Sequence, residues 1–181
     1  MSDNGELAIR PFFHAPTGTW SYVASRGRDA VLIDPVLDYD HRNGDVGTES
    51  ARELLAYVAA NGLTVHRILE THAHADHLTS AAFLRARTDA PVAIGRGIRS
   101  VQAHFAQVFE LPGDDPALTG AFDQLLADGE VIEAGSLRIE VMATPGHTAG
   151  HMSMLIELPK GRPVLLAGDA ADLQENIDRE I

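Results

Sequence analysis

At 181 residues with 45% hydrophobic content, the chain is long enough for one core and too short for two ordinary domains. Its 14 Lys+Arg against 26 Asp+Glu leave a formal charge of -12, which repels nucleic acid and anionic membrane surfaces. With no cysteine, disulfides and thiolate metal sites are excluded, so any metal would be held by imidazole and carboxylate.

The start, MSDNGELAIR, lacks the basic and apolar regions of a signal peptide, and no stretch approaches the ~18 apolar residues of a membrane span. A cytoplasmic location is therefore expected. TWSYVAS (19–25) and AVLIDP (30–35) read as a hairpin across Arg26 to Asp29, and a polar loop follows over 38–47. Ser50 and Glu53 have capping-box spacing, and Ala51, Leu54, Leu55, Val58 and Ala59 form the stripe of an amphipathic helix closed by Asn61-Gly62.

LTVHRILETH (63–72) reads as a buried strand, and 77–87 as a helix packing Leu78, Ala82 and Leu84 or Phe83 inward. PVAIG (91–95) is a further strand. Residues 98–110 are helical, with Ile98, Val101, Phe105 and Val108 along one side, and 111–129 form a turn-rich connection. Two strands joined at Ala134-Gly135 span 130–147, and 152–158 and 163–169 make a hairpin around 159–162. This order predicts an α/β sandwich in one domain over 1–181.

Three histidines and an aspartate fall within E-T-H-A-H-A-D-H (70–77), at the end of a strand, where ligand groups gather in open α/β sheets. His72 and His74, two apart on an extended segment, project to one side, and the turn brings Asp76 and His77 close. Packing so many titratable rings around one turn for structure alone is unattractive near neutral pH, so a metal or catalytic site is the better reading. His147, in T-P-G-H, and Asp169, in G-D, also follow strands. His14, His41, His66 and His104 read as ordinary histidines, and His151 as structural. Asp34 and Asp38 fit either a supporting shell or turn capping, Thr71 and Thr148 fit bonds to nearby backbone, and Arg85, Arg96 and Arg99 fit solvated helix faces or an anionic substrate.

The motifs T-H-A-H-A-D-H (71–77), T-P-G-H-T (144–148) and G-D (168–169), in that order, resemble the metallo-β-lactamase superfamily over nearly the whole chain. Segments 34–44, 68–85 and 92–98 are similar to the glyoxalase II branch, specifically its persulfide dioxygenases. The part from T-P-G-H-T-A-G-H to the ADLQENIDREI tail looks closer to lactone-hydrolysing members, and it lacks the Cys-Gly-Arg-Thr-type segment usual in persulfide dioxygenases. The resemblance implies an αββα sandwich, and because no histidine follows His151 and the chain ends at Ile181, one missing its last elements. Such a fold would leave a sheet edge that invites association with a second copy.

The resemblance further implies that His72, His74, His147 and Asp169 form a first metal site, and that in dinuclear members Asp76, His77 and a bridging Asp169 hold a second ion. The expected activity is oxidation of glutathione persulfide to sulfite at one Fe(II) held by His72, His147 and Asp169, with Asp76 and His77 orienting groups around it. The alternative is a Zn hydrolase, with one or two ions, acting on a glutathione thioester or an acyl lactone. A metal-binding fragment without turnover is the third reading. No nucleic-acid or membrane partner is expected.

Overall fold

The computed structural model describes residues 5–158 and 162–171. In chain order the elements are β1 (Leu7–His14), β2 (Thr19–Arg26), β3 (Asp29–Ile33), β4 (Val36–Asp40), β5 (Asp45–Gly47), α1 (Glu49–Ala60), β6 (Thr64–Glu70), β7 (Leu78–Thr79) and α2 (Ala81–Thr88). There follow β8 (Val92–Gly95), α3 (Ile98–Val108), α4 (Pro116–Thr119), β9 (Gln124–Leu126), β10 (Val131–Ala134), β11 (Leu137–Ala143), β12 (Met152–Glu157), β13 (Val164–Leu166) and a 3-10 turn at Gly168–Ala171.

The large sheet runs β1-β2-β3-β6-β8-β9, and the second runs β10-β11-β12-β13. β3, β6, β8 and β9 are parallel neighbours, so their carboxyl ends open on one edge, where Asp34 and the histidine segment emerge. Between the sheets lies a core that includes Val31, Ile33 and Leu69 from one and Ile139, Val141, Met154 and Ile156 from the other. On the opposite face of the large sheet, Leu32, Ile68 and Val92 pack against Ala51, Leu54 and Val58 of α1 and Ala81 and Leu84 of α2. Helix layer, sheet and sheet are the αββ part of the expected sandwich.

Several local expectations are corrected. β1 lay outside the predicted elements because Arg10 and Pro11 interrupt its apolar character; full-length pairing with β2 makes it the edge strand, where proline is tolerated. Within the predicted 38–47 loop, β4 and β5 form a hairpin, and β7 pairs with the other side of β4. The capping box of Ser50 and Glu53 does not form, because α1 begins at Glu49 with Thr48 as its N-cap, which leaves Ser50 inside the helix, and Thr48 makes no side-chain cap bond. Instead Asp38 accepts from the Ser50 N–H at 2.9 Å and the Ser50 hydroxyl at 2.6 Å, placing a carboxylate at the amino end of α1.

The helix predicted over 77–87 begins only at Ala81, because Leu78 and Thr79 are spent on β4; Leu78 and Ala82 are exposed, while Ala81 and Leu84 point inward. Along α3 only Ile98 is buried, with Phe105 and Val108 exposed. The 111–129 connection contains β9, which extends the large sheet through pairing with β8. β12 and β13 pair as the expected hairpin, whose turn at 159–161 lies outside the described residues, as does the tail from 172. No helix among the described residues is long and apolar enough to cross a membrane.

Candidate metal centre

β6 ends at Glu70, and the histidines sit in irregular chain beyond it rather than on an extended strand. Bends at 71–72 and 75–77 bring the rings together: His72 and His74 have centroids 3.9 Å apart, and His74 and His77 4.1 Å. His147, from the turn after β11, approaches His72 edge-on at 5.0 Å. Asp169, on the 3-10 turn after β13, completes the group, with Oδ2 3.6 Å from His72 Nε2 and 3.4 Å from His147 Nε2. All six residues singled out in the sequence therefore lie in one cluster at the carboxyl edge of the parallel strands.

Hydrogen bonding sets which ring nitrogens are free. Asp34 is buried and accepts from both the N–H (2.7 Å) and the hydroxyl (2.9 Å) of Thr71. With its proton directed at a carboxylate, the Thr71 oxygen can only accept from His72 Nδ1 at 2.9 Å, which leaves the Nε2 lone pair of His72 open toward Asp169. His77 likewise spends Nδ1 on the Leu78 carbonyl at 3.0 Å. Among the described residues the Nε2 atoms of His72 and His77 are buried without a hydrogen-bond partner, while that of His74 faces the Asp34 and Glu70 carboxylates at 3.3 and 3.8 Å. Buried imidazole nitrogens left bare in this way cost stability unless a cation or proton meets them, so the donor set fits a metal ion. Ligand atoms of His72, His74 and Asp169 fall within 4.8 Å of one another, as do those of His74, Asp76 and His77.

Burial pushes the His72 imidazole down to about 4, with the neighbouring His74 acting in the same direction. His77 and His151 are lowered, first by burial. Burial alone would lower His74 too, but Asp34, 3.3 Å from its Nε2, and behind it Glu70 at 3.8 Å and Asp76, outweigh that and raise it. Glu70 is pushed up to about 8 by burial and by the charge of Asp34. Its other oxygen accepts from the Thr79 hydroxyl. No functional role for Glu70 was read from the sequence; a carboxylate directly after the buried pair Ile68 and Leu69 was the signal that could have found it.

The remaining expectations divide. His151 is structural: it is buried, its Nε2 accepts the Asp169 N–H at 3.1 Å, and Nδ1 meets the Thr144 hydroxyl at 2.9 Å, so both nitrogens are committed to holding the Asp169 turn. The Thr71 hydroxyl bonds the Asp34 and His72 side chains rather than nearby backbone, and Thr148 Oγ1 has no hydrogen-bond partner among the described residues. Arg85 pairs with Asp123 and helps seat α2 near β9. Beside His74, Asp76 and His77 opens a cavity of about 1040 Å³, walled by His14 at the end of β1, Asp38 and Tyr39 of β4, and Arg42 of the β4–β5 turn.

Residues 14–179 match the family model for the metallo-beta-lactamase superfamily. The chain belongs to that superfamily. It is 42% identical over 153 residues to a probable metallo-hydrolase of Burkholderia pseudomallei, covering 83% of this chain and 52% of the relative. The mouse protein persulfide dioxygenase ETHE1, mitochondrial, is 29% identical over 167 residues, covering 91% and 52%. Among solved structures, ETHE1 from Myxococcus xanthus superposes with a TM-score of 0.61 at 29% identity, covering 82% of this chain and 53% of that one. The chain spans about a third to a half of the length of the curated relatives it matches first.

Proposed function

We propose that the chain holds one Fe(II) through His72, His147 and Asp169 and oxidises glutathione persulfide to sulfite. The observation that carries this reading is the seat of Asp169 Oδ2 between His72 Nε2 at 3.6 Å and His147 Nε2 at 3.4 Å. Two imidazoles and one carboxylate on one side of an ion leave its other positions to a substrate thiolate and dioxygen. The likeness to persulfide dioxygenase supports the same choice. His74 fits a supporting part, because its Nε2 is turned to the buried carboxylates of Asp34 and Glu70.

When bound, the iron supplies the redox chemistry that couples dioxygen to sulfur. The persulfide, dioxygen and one water become glutathione, sulfite and the protons that balance them. The sulfur–sulfur bond breaks, and the outer sulfur gains three oxygens, two of them from dioxygen, to which its electrons pass. The chain's own part is positional. Thr71 fixes the His72 tautomer, His151 holds the Asp169 turn, and the cavity of about 1040 Å³ has room for a tripeptide beside the cluster. A cytoplasmic site of action accords with this thiol substrate.

A second reading is a two-zinc hydrolase of a glutathione thioester or acyl lactone. It is favoured by the bare Nε2 of His77 and by the grouping of His74, Asp76 and His77. Oxygen-electrode and sulfite assays of iron-loaded protein separate the two. About one dioxygen consumed and one sulfite formed per glutathione persulfide is expected. Thioester or lactone hydrolysis by the zinc form, without oxygen uptake by the iron form, would establish the second reading instead.

A further inference from the structure

The β1–β2 turn reaches the metal cluster through a continuous series of hydrogen bonds. The Thr19 hydroxyl donates to Asp76 Oδ2 at 2.9 Å, across 57 residues of sequence, and the Thr17 hydroxyl donates to Thr19 Oγ1 at 2.9 Å. His14 Nδ1 lies 2.7 Å from Thr17 Oγ1. Because Asp76 accepts and each threonine has a single proton, the polarity is fixed: Thr17 has spent its proton on Thr19, so His14 Nδ1 must be the donor. Its other nitrogen faces Asp38 Oδ1 at 3.5 Å, and Asp38 is tied to the amino end of α1 through Ser50.

An ordinary turn would need none of this alignment. Only Oδ2 of Asp76 is held by Thr19, and Oδ1 is the oxygen turned to the cluster, 3.9 Å from His74 Nδ1. The Asp76 side chain is half exposed, and the Thr19 hydroxyl is a side-chain donor that holds it. His14 and Thr17 also line the same cavity as His74, Asp76 and His77.

We propose that Thr19 is a positioning residue for the metal centre, acting through Asp76, with Thr17 and His14 holding the Thr19 hydroxyl in place. The inference rests on an ion bound in the group formed by His74, Asp76 and His77, the site used by the second reading above.

Co(II) serves as the probe. Its binding constant and visible d–d spectrum are measured in full-length wild type, Thr19→Val, Thr19→Ser, Asp76→Asn and the Thr19→Val/Asp76→Asn double variant, with thermal unfolding as the folding control. Thr19→Val is expected to weaken Co(II) roughly tenfold and alter its spectrum, as loss of a ligand-orienting partner does. Thr19→Ser should restore both. In the Asp76→Asn background the Thr19→Val change should have no further effect, since the threonine works only through that carboxylate. Equal effects of Thr19→Val in both backgrounds, or a folded Thr19→Val that binds Co(II) as wild type does, would overturn the proposal. Co(II) coupling without persulfide oxidation would remove the proposed function and leave this inference standing, whereas oxidation without coupling would do the reverse.

Discussion

His72 shows how much a neighbour decides for a metal-directed side chain. Thr71 directs its own proton to Asp34 and so makes His72 donate from Nδ1, which presents a bare Nε2 to Asp169. His72→Ala or Asp169→Ala should therefore abolish tight metal retention after gel filtration, while His77→Ala leaves iron content nearly unchanged; lost iron in the last variant would favour two ions. The low His72 pKa also sets a pH dependence. Folded at about 4 against ~6.5 unfolded, the imidazole binds fewer protons in the folded chain across that window. Its contribution is complete above about 6.5 and is lost as pH falls toward 4. Metal-free wild type should therefore lose more stability than His72→Ala on acidification from about pH 6.5 to 4, a difference on the order of 2 kcal/mol in urea titrations; His77 and His151 act in the same sense, whereas the raised Glu70 and His74 act in the opposite one. The 70–77 segment was legible in sequence because its density of histidine and aspartate points to metal chemistry, whereas His147 and Asp169 joined it through the order of motifs shared with the superfamily. Glu70 and the Thr19 contact were not legible, since each acquires its meaning from chain brought in by strand pairing: Thr79 by β4 and Thr19 by the β1–β2 hairpin.

At the scale of elements, the turn that carries His147 is seated by two glycines. A Cβ on Gly97, just before α3, would lie 2.6 Å from the Gly150 Cα, and one on Gly95 would lie 2.5 Å from the Met152 side chain. Gly97→Ala must therefore push residues 147–151 away from β8, taking His147 and His151 with them. Weaker metal binding with a lowered melting temperature is expected, and unchanged binding would show that the turn can relax elsewhere. A milder change is Asp38→Ala, which strips the amino end of α1 of its acceptor and should cost about 1 kcal/mol by chemical denaturation. The periodic stripe of α1 was plain in sequence, but its cap was not, because the acceptor comes from β4 twelve residues earlier. β9 is three residues long, too short for any alternation to stand out, and exists through its pairing with β8. The stripe of α3 illustrates the opposite limit: periodicity marked a helix correctly, yet Phe105 and Val108 on that side remain exposed.

For the molecule as a whole, two apolar clusters flank the large sheet and hold its carboxyl edge in place. Ile139 is fully buried between the sheets and far in role from the cluster, so Ile139→Ala should cost about 3 kcal/mol while leaving metal stoichiometry intact. The layered class was readable from the succession of elements and the order of the motifs, whereas the three-stranded β5-β4-β7 sheet was hidden in segments read as loop and helix. What the layers accomplish is convergence: Asp34, the 70–77 segment, His147 and Asp169 come from four separate stretches onto one edge. The most direct test of the one-ion reading is metal analysis of anaerobically purified protein titrated with Fe(II). Saturation at about one iron per chain, abolished by His147→Ala and retained in His77→Ala, is the predicted result; saturation at two ions per chain, falling to one in His77→Ala, would contradict it.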